Sequence, residues 1–262
     1  MVTPVTRQPA RHDLQAAGVV ILAILTLAGC GEAGSPPDQA AQPGAVPSDT
    51  SPPPAVAADA AQILRRMIER YQAATTYSDS AVVRLDLKTS QGDQQQEFPI
   101  AVSFARPNRL LFTRDDVLVL SDGQKLYGRV LSLADQVVVA RAPQTITIPA
   151  FYEIQVISPL MMQPGLEGHS IQLDLLAAEQ PLQELRQDNL PSRVLPPAVC
   201  ADRSCDRLGF QTDAGEIVFW IDQENSLLRK LEFPTEELRK SMGAEVSEVT
   251  LVAEFRDAQL DG

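Results

Sequence analysis

Few residues in this 262-residue chain carry nucleophilic or metal-binding potential: three cysteines, Cys30, Cys200 and Cys205, and two histidines, His12 and His169. A Ser-His-Asp or Cys-His pair needs an imidazole beside its nucleophile, and zinc sites draw on several His or Cys ligands. His169 follows the turn-rich stretch Pro164-Gly165-Leu166-Glu167-Gly168 and reads as a solvated residue. Carboxylates are plentiful, yet no pair is marked as acid and base. Cys200 and Cys205 are separated by four residues, ahead of a strand pattern. In an oxidising compartment they are candidates for a disulfide, worth about 2 kcal/mol for so small a loop. The alternative is two unpaired thiols, with Cys205 partly buried. Only Arg203 and Arg207 stand near to activate a thiolate. These residues predict no catalytic site, no metal and no cofactor. An enzyme is the least favoured class.

Cys30 has different chemistry. Arg7, Arg11 and His12 precede an apolar run over 16–28 that ends in Leu27-Ala28-Gly29-Cys30. A basic start, an apolar middle and small residues at a cut site describe a secretory signal. The cysteine after Leu-Ala-Gly makes this segment resemble a bacterial lipoprotein signal. That resemblance implies cleavage after Gly29, acylation of the Cys30 thiol and acylation of the new N-terminus. Two acyl chains hold a protein durably on a bilayer. The competing reading is an uncleaved membrane helix, since 14–31 is free of charge. Its strongly apolar part, however, is shorter than the roughly 20 residues a span needs. Gly31 stands where many inner-membrane lipoproteins carry aspartate, which favours the outer membrane. The expectation is a lipid-anchored protein of the bacterial cell envelope that faces the periplasm.

The formal net charge is −12. Loss of residues 1–29 removes Arg7, Arg11 and Asp13, taking it to −13. Such acidity argues against nucleic acid or an anionic headgroup layer as the partner, since both need basic patches. Residues 30–56 are rich in Pro, Ala, Gln and Ser and poor in large apolar side chains, the composition of a disordered tether. The remainder, 57–262, is long enough for one domain with a core.

Within that domain, 59–75 reads as an amphipathic helix, with Ala60, Ile63, Leu64, Met67, Ile68 and Tyr71 on one face. The period then falls to two. Strands are predicted at 81–88, 98–105, 110–114, 117–121, 125–130 and 136–140, with turns at Gln91-Gly92-Asp93 and Ser121-Asp122-Gly123. Residues 146–188 lose the alternation but keep apolar clusters divided by Pro149, Pro159, Pro164 and Pro181. This segment is predicted to be helical and to cover one face of the sheet. Strands return at 206–212, 216–222, 227–233 and 246–256, with a short helix at 235–242 that starts on a Thr235 cap. With no helix between successive strands, the sheet is expected to be antiparallel and consecutively paired.

Four motifs in order give the domain a family likeness. They are Tyr77-Ser78-Asp79, Phe104-Ala105-Arg106-Pro107-Asn108-Arg109-Leu110, Ser121-Asp122-Gly123-Gln124-Lys125-Leu126-Tyr127, and Cys205-Asp206-Arg207-Leu208-Gly209-Phe210 followed by Phe219-Trp220-Ile221-Asp222 and Leu228-Arg229-Lys230. Over roughly 57–260 the chain resembles the LolA-like superfamily of envelope lipoprotein carriers, receptors and RseB-type regulators. The resemblance implies an α+β, mainly β fold: a strongly curved antiparallel sheet forming an open half-barrel, with an N-terminal helix and a helical lid. It also implies an apolar cavity for an acyl chain, lipid or lipoprotein. Phe151, Leu160, Met161, Met162 and Trp220 are the expected lining. The anchor at Cys30 departs from the soluble carriers and favours a tethered role. An RseB-like module that docks an envelope protein without a lipid ligand is the second expectation.

Overall fold

The first helix, α1 (Pro54–Ala73), opens on a proline. At the first turn proline suits the helix, because its missing N–H has no intrahelical partner to lose. The helix therefore begins inside the stretch read as tether and takes in 54–56. Ala60, Leu64, Met67 and Tyr71 turn to the core and are at most 4% exposed. The computed structural model describes residues 54–114, 116–131, 136–149, 171–183 and 193–261, with backbone only at 54–58.

Six strands follow: β1 (Thr76–Thr89), β2 (Gly92–Ala105), β3 (Arg109–Arg114), β4 (Val117–Asp122), β5 (Lys125–Val130) and β6 (Val137–Arg141). A short helix, α2 (Ile171–Ala177), precedes β7 (Arg193–Cys200), β8 (Arg203–Thr212), β9 (Gly215–Asp222) and β10 (Leu228–Glu232). Then come α3 (Glu236–Ser241) and β11 (Val246–Leu260). All eleven strands form one antiparallel sheet in the order β6-β5-β4-β3-β2-β1-β11-β10-β9-β8-β7. It does not close, so β6 and β7 are its edges. Each half is a meander of consecutive hairpins, as predicted. The two halves join where β1 pairs β11, from Tyr77 opposite Leu260 to Thr89 opposite Val246.

Period-two alternation assigns the faces. Along β1, Tyr77, Asp79, Ala81, Val83, Leu85 and Leu87 are buried. Along β9, Ile217, Phe219 and Ile221 join the same core as α1 and α2. This inner face is the one the helices cover. The hairpin turns use glycine where the backbone requires positive φ, at Gly123 (φ 95°) and Gly215 (φ 126°).

Three local differences from the sequence expectation have physical causes. Strand β7 was not anticipated, since Pro196 and Pro197 argue against a ladder. As an edge strand it tolerates them, and its register shifts between Leu195 and Ala198. Strands β1, β2 and β11 extend well beyond their predicted ends because their polar outer positions carry no apolar signal. Thr235 makes no side-chain cap; its hydroxyl donates instead to the Val249 carbonyl at 2.8 Å.

Candidate functional site: the inner face beneath α2

Helix α2 is only seven residues long, and Leu173, Leu175 and Leu176 are at most 1% exposed. A helix this short needs tertiary partners for its terminal carbonyls. Gln72 Nε2 on α1 donates to Leu175 O at 2.6 Å. Arg106 Nε donates to Ala74 O and its Nη2 to Leu176 O, both at 2.8 Å. One guanidinium thus ties the ends of α1 and α2 together. Asn108, two residues on, donates to both Gly123 O and Pro143 O at 2.9 Å. The Arg-Pro-x-Arg motif is accordingly a structural clamp at this end of the sheet.

Beneath α2 lies a buried polar cluster. Asp79 is 7% exposed; its Oδ2 accepts from the Tyr77 hydroxyl at 2.9 Å and from Gln172 Nε2 at 3.2 Å. Its Oδ1 is buried with no hydrogen-bond partner. Desolvation raises the Asp79 carboxyl to about 6, and the bonds from Tyr77 and Gln172 only partly oppose this. The Tyr71 hydroxyl accepts from Leu228 N at 3.3 Å, and the Tyr71 and Tyr77 ring centroids lie 5.3 Å apart. Burial pushes both phenols above their ordinary range. The cluster links α1, β1, α2 and the start of β10. Tyr77 and Asp79 were singled out in the sequence only as part of a motif; Gln172 carried no signal.

The expected cavity residues divide. Phe151, Leu160, Met161 and Met162 lie outside the described residues, as do Cys30 and His169. Trp220 is placed, and it is a correction to the expected cavity lining. It alternates with core residues Phe219 and Ile221, so it points to the outer face, where it packs with Cys205 and Val218. There Arg207 and Lys230 stack over its ring at 4.4 and 4.7 Å. Cys200 and Cys205 are free thiols on that same face. Cys205 pairs across the ladder with Ala198, and Cys200 with Arg203, so the two sulfurs are diagonal neighbours. Burial raises the Cys205 thiol to about 11, which disfavours a reactive thiolate. Asp222, from the Trp-Ile-Asp motif, is a turn anchor: it accepts from Glu224 N at 2.9 Å and pairs with Arg229 at 2.9 Å.

Among the described residues no group of three His, Cys, Asp or Glu side chains could hold a metal. None of the described helices is long and apolar enough to cross a membrane.

The open antiparallel sheet, with a helical segment between its two meanders, is the fold that the resemblance of the four motifs to the LolA-like superfamily implies. No family model and no curated protein matches the sequence. Among solved structures it is similar to a LolA superfamily protein from Nitrosomonas europaea, at 11% identity and a TM-score of 0.29, over 78% of this chain and 94% of that one. It is also similar to LprF from Mycobacterium bovis, at 9% identity and a TM-score of 0.36, over 77% and 93%. MucB in its complex with MucA from Pseudomonas aeruginosa aligns at 12% identity and a TM-score of 0.32, over 78% and 58%.

Proposed function

We propose that this chain is a lipid-anchored envelope protein whose LolA-like domain takes an acyl chain, lipid or lipoprotein on the inner side of its sheet. The carrying observation is an open sheet with a largely apolar inner face, covered in part by a short helix that hydrogen bonds hold at its C-terminal end. Segment 146–188, with Phe151, Leu160, Met161 and Met162, is the proposed lid; methionine suits an adaptable apolar wall. The test is saturable uptake of a fluorescent fatty acid by the full chain. It should be present in the wild type and lost in Met161→Asp/Met162→Asp with the circular dichroism spectrum unchanged. No saturable uptake by the wild type would sink the carrier reading.

A second reading has its own observation. Leu173, Leu175 and Leu176 already fill the inner face beneath α2, which fits a docking or sensing module without a lipid ligand. If uptake fails, this reading stands.

The anchor has a separate test. Cys30→Ser should leave the signal segment uncut and the protein wrongly sorted. A variant that is processed and sorted as the wild type is would overturn the assignment.

A further inference from the structure

On the outer face of β3–β6 the register lines side chains into rows. Arg141 pairs with Lys125 and Arg109 with Asp122, forming one row along the end of the strands. The next row inward runs Val139, Tyr127, Leu120, Leu111, and continues into Ser103, Ser78 and Gln259. A trough of about 390 Å³ lies along the Leu120–Gln259 part of that row, with Arg109 at its lip. Of the six exposed large apolar side chains among the described residues, five lie between β3 and β6: Leu111, Leu120, Leu131, Val137 and Val139. They therefore form a patch and not a scatter of single side chains.

The charges beside that patch differ from three arginines on the other half of the sheet. On the other half of the sheet, Arg193, Arg229 and Arg256 each hold a carboxylate within 3.2 Å. Arg109, Lys125 and Arg141 hold none among the described residues. The one anion of their row, Asp122, stands opposite Arg109 and feels the Lys125 charge, but its oxygens are held by other donors. Its Oδ1 accepts from the Gln124 and Lys125 amides at 2.7 Å each, and its Oδ2 from the Tyr127 hydroxyl at 3.3 Å. An apolar row with a tyrosine, edged by three cations and a single anion, sits on a chain whose net charge is −12.

We propose that the outer face of β3–β6 is a membrane-docking surface for anionic phospholipid. The apolar row lies against the acyl boundary, and Arg109, Lys125 and Arg141 reach the phosphates. Three cations less the Asp122 charge leave two net positive charges, which give on the order of a thirtyfold preference for anionic over neutral lipid. The acidic remainder is repelled by the same surface, which favours this face turning to it. A net negative charge then sets the orientation instead of forbidding contact.

The test uses the full chain with Leu120→Trp, and the wild type with its single tryptophan, Trp220, as reference. Each is mixed with vesicles whose acyl chains are brominated, either of phosphatidylcholine alone or with phosphatidylglycerol. In the anionic vesicles the added indole emission should fall by about half, while wild-type emission is unchanged. Phosphatidylcholine alone should quench neither protein, whatever the N-terminus contributes to binding. Salt at about 1 M, where the Debye length is about 3 Å, should abolish the quenching without any mutation. Arg109→Glu/Lys125→Glu/Arg141→Glu, in the Leu120→Trp background, should do the same. Equal quenching in neutral vesicles, persistence in high salt or after charge reversal, or no quenching in any vesicle overturns the proposal. The last of these results would leave the face to an acidic protein partner.

Discussion

Asp79 is a carboxylate placed where carboxylates are costly. Among the described residues its Oδ1 accepts no hydrogen bond, and its other oxygen relies on a phenol and an amide. The folded-state carboxyl titrates at about 6, against 3.8 in the unfolded chain. The folded state therefore holds the proton more tightly, so stability falls as pH rises from about 4 to about 6 and then levels off. The difference corresponds to about 3 kcal/mol at full effect. Asp79→Asn removes the charge and keeps the shape. At pH 8 the variant should be more stable than the wild type relative to pH 4, by about that amount, in urea unfolding at the two pH values. A pH-independent difference between the two proteins would show that Asp79 does not titrate as a buried group. The cations on the outer face present the opposite case. Their chemistry was visible as residue types in the sequence, yet only the register shows that Arg109, Lys125 and Arg141 share one row.

At the scale of elements, what could be read from the sequence depended on periodicity. Helix α1 and the strands with alternating apolar residues were legible because each buries one face against a single core. Strand β7 was not, since two prolines and exposed side chains give it no alternation, and only its edge position makes it a strand. The same limit hid Gln172. An amide on a seven-residue helix becomes informative only once the fold sets it 3.2 Å from Asp79. Trp220 shows the converse error. An aromatic residue in an apolar strand suggests the core, but a strand buried on both faces has two apolar sides, and β9 is buried over Ile217 to Asp222. Sequence alternation cannot choose between those sides. Arg106 was legible as a motif residue, but its role needed the ends of two helices separated by about a hundred residues of chain.

For the whole molecule, the decisive join is the least local one. Strand β1 pairs β11 over nearly its full length, and the Asp261 carboxylate accepts from Thr75 N and Thr75 Oγ1 at 2.7 Å. Nothing in either strand's sequence names the other as partner, because both merely alternate. The join merges two meanders into one core: Val119 and Leu126 from one half share a cluster with Phe219 and Leu231 from the other. Unfolding should therefore be a single cooperative event. Leu85 on β1 lies opposite Leu251 on β11, and both are at most 1% exposed. Leu85→Ala leaves a cavity at this seam and should cost about 2 to 5 kcal/mol. Trp220, the chain's single tryptophan, reports on the other meander. If the halves are one unit, Leu85→Ala shifts the denaturant midpoint seen by Trp220 fluorescence as far as the midpoint seen by far-ultraviolet circular dichroism. A fluorescence midpoint that stays at the wild-type value while the dichroism midpoint falls would mean that the halves unfold separately and that β1–β11 is a hinge.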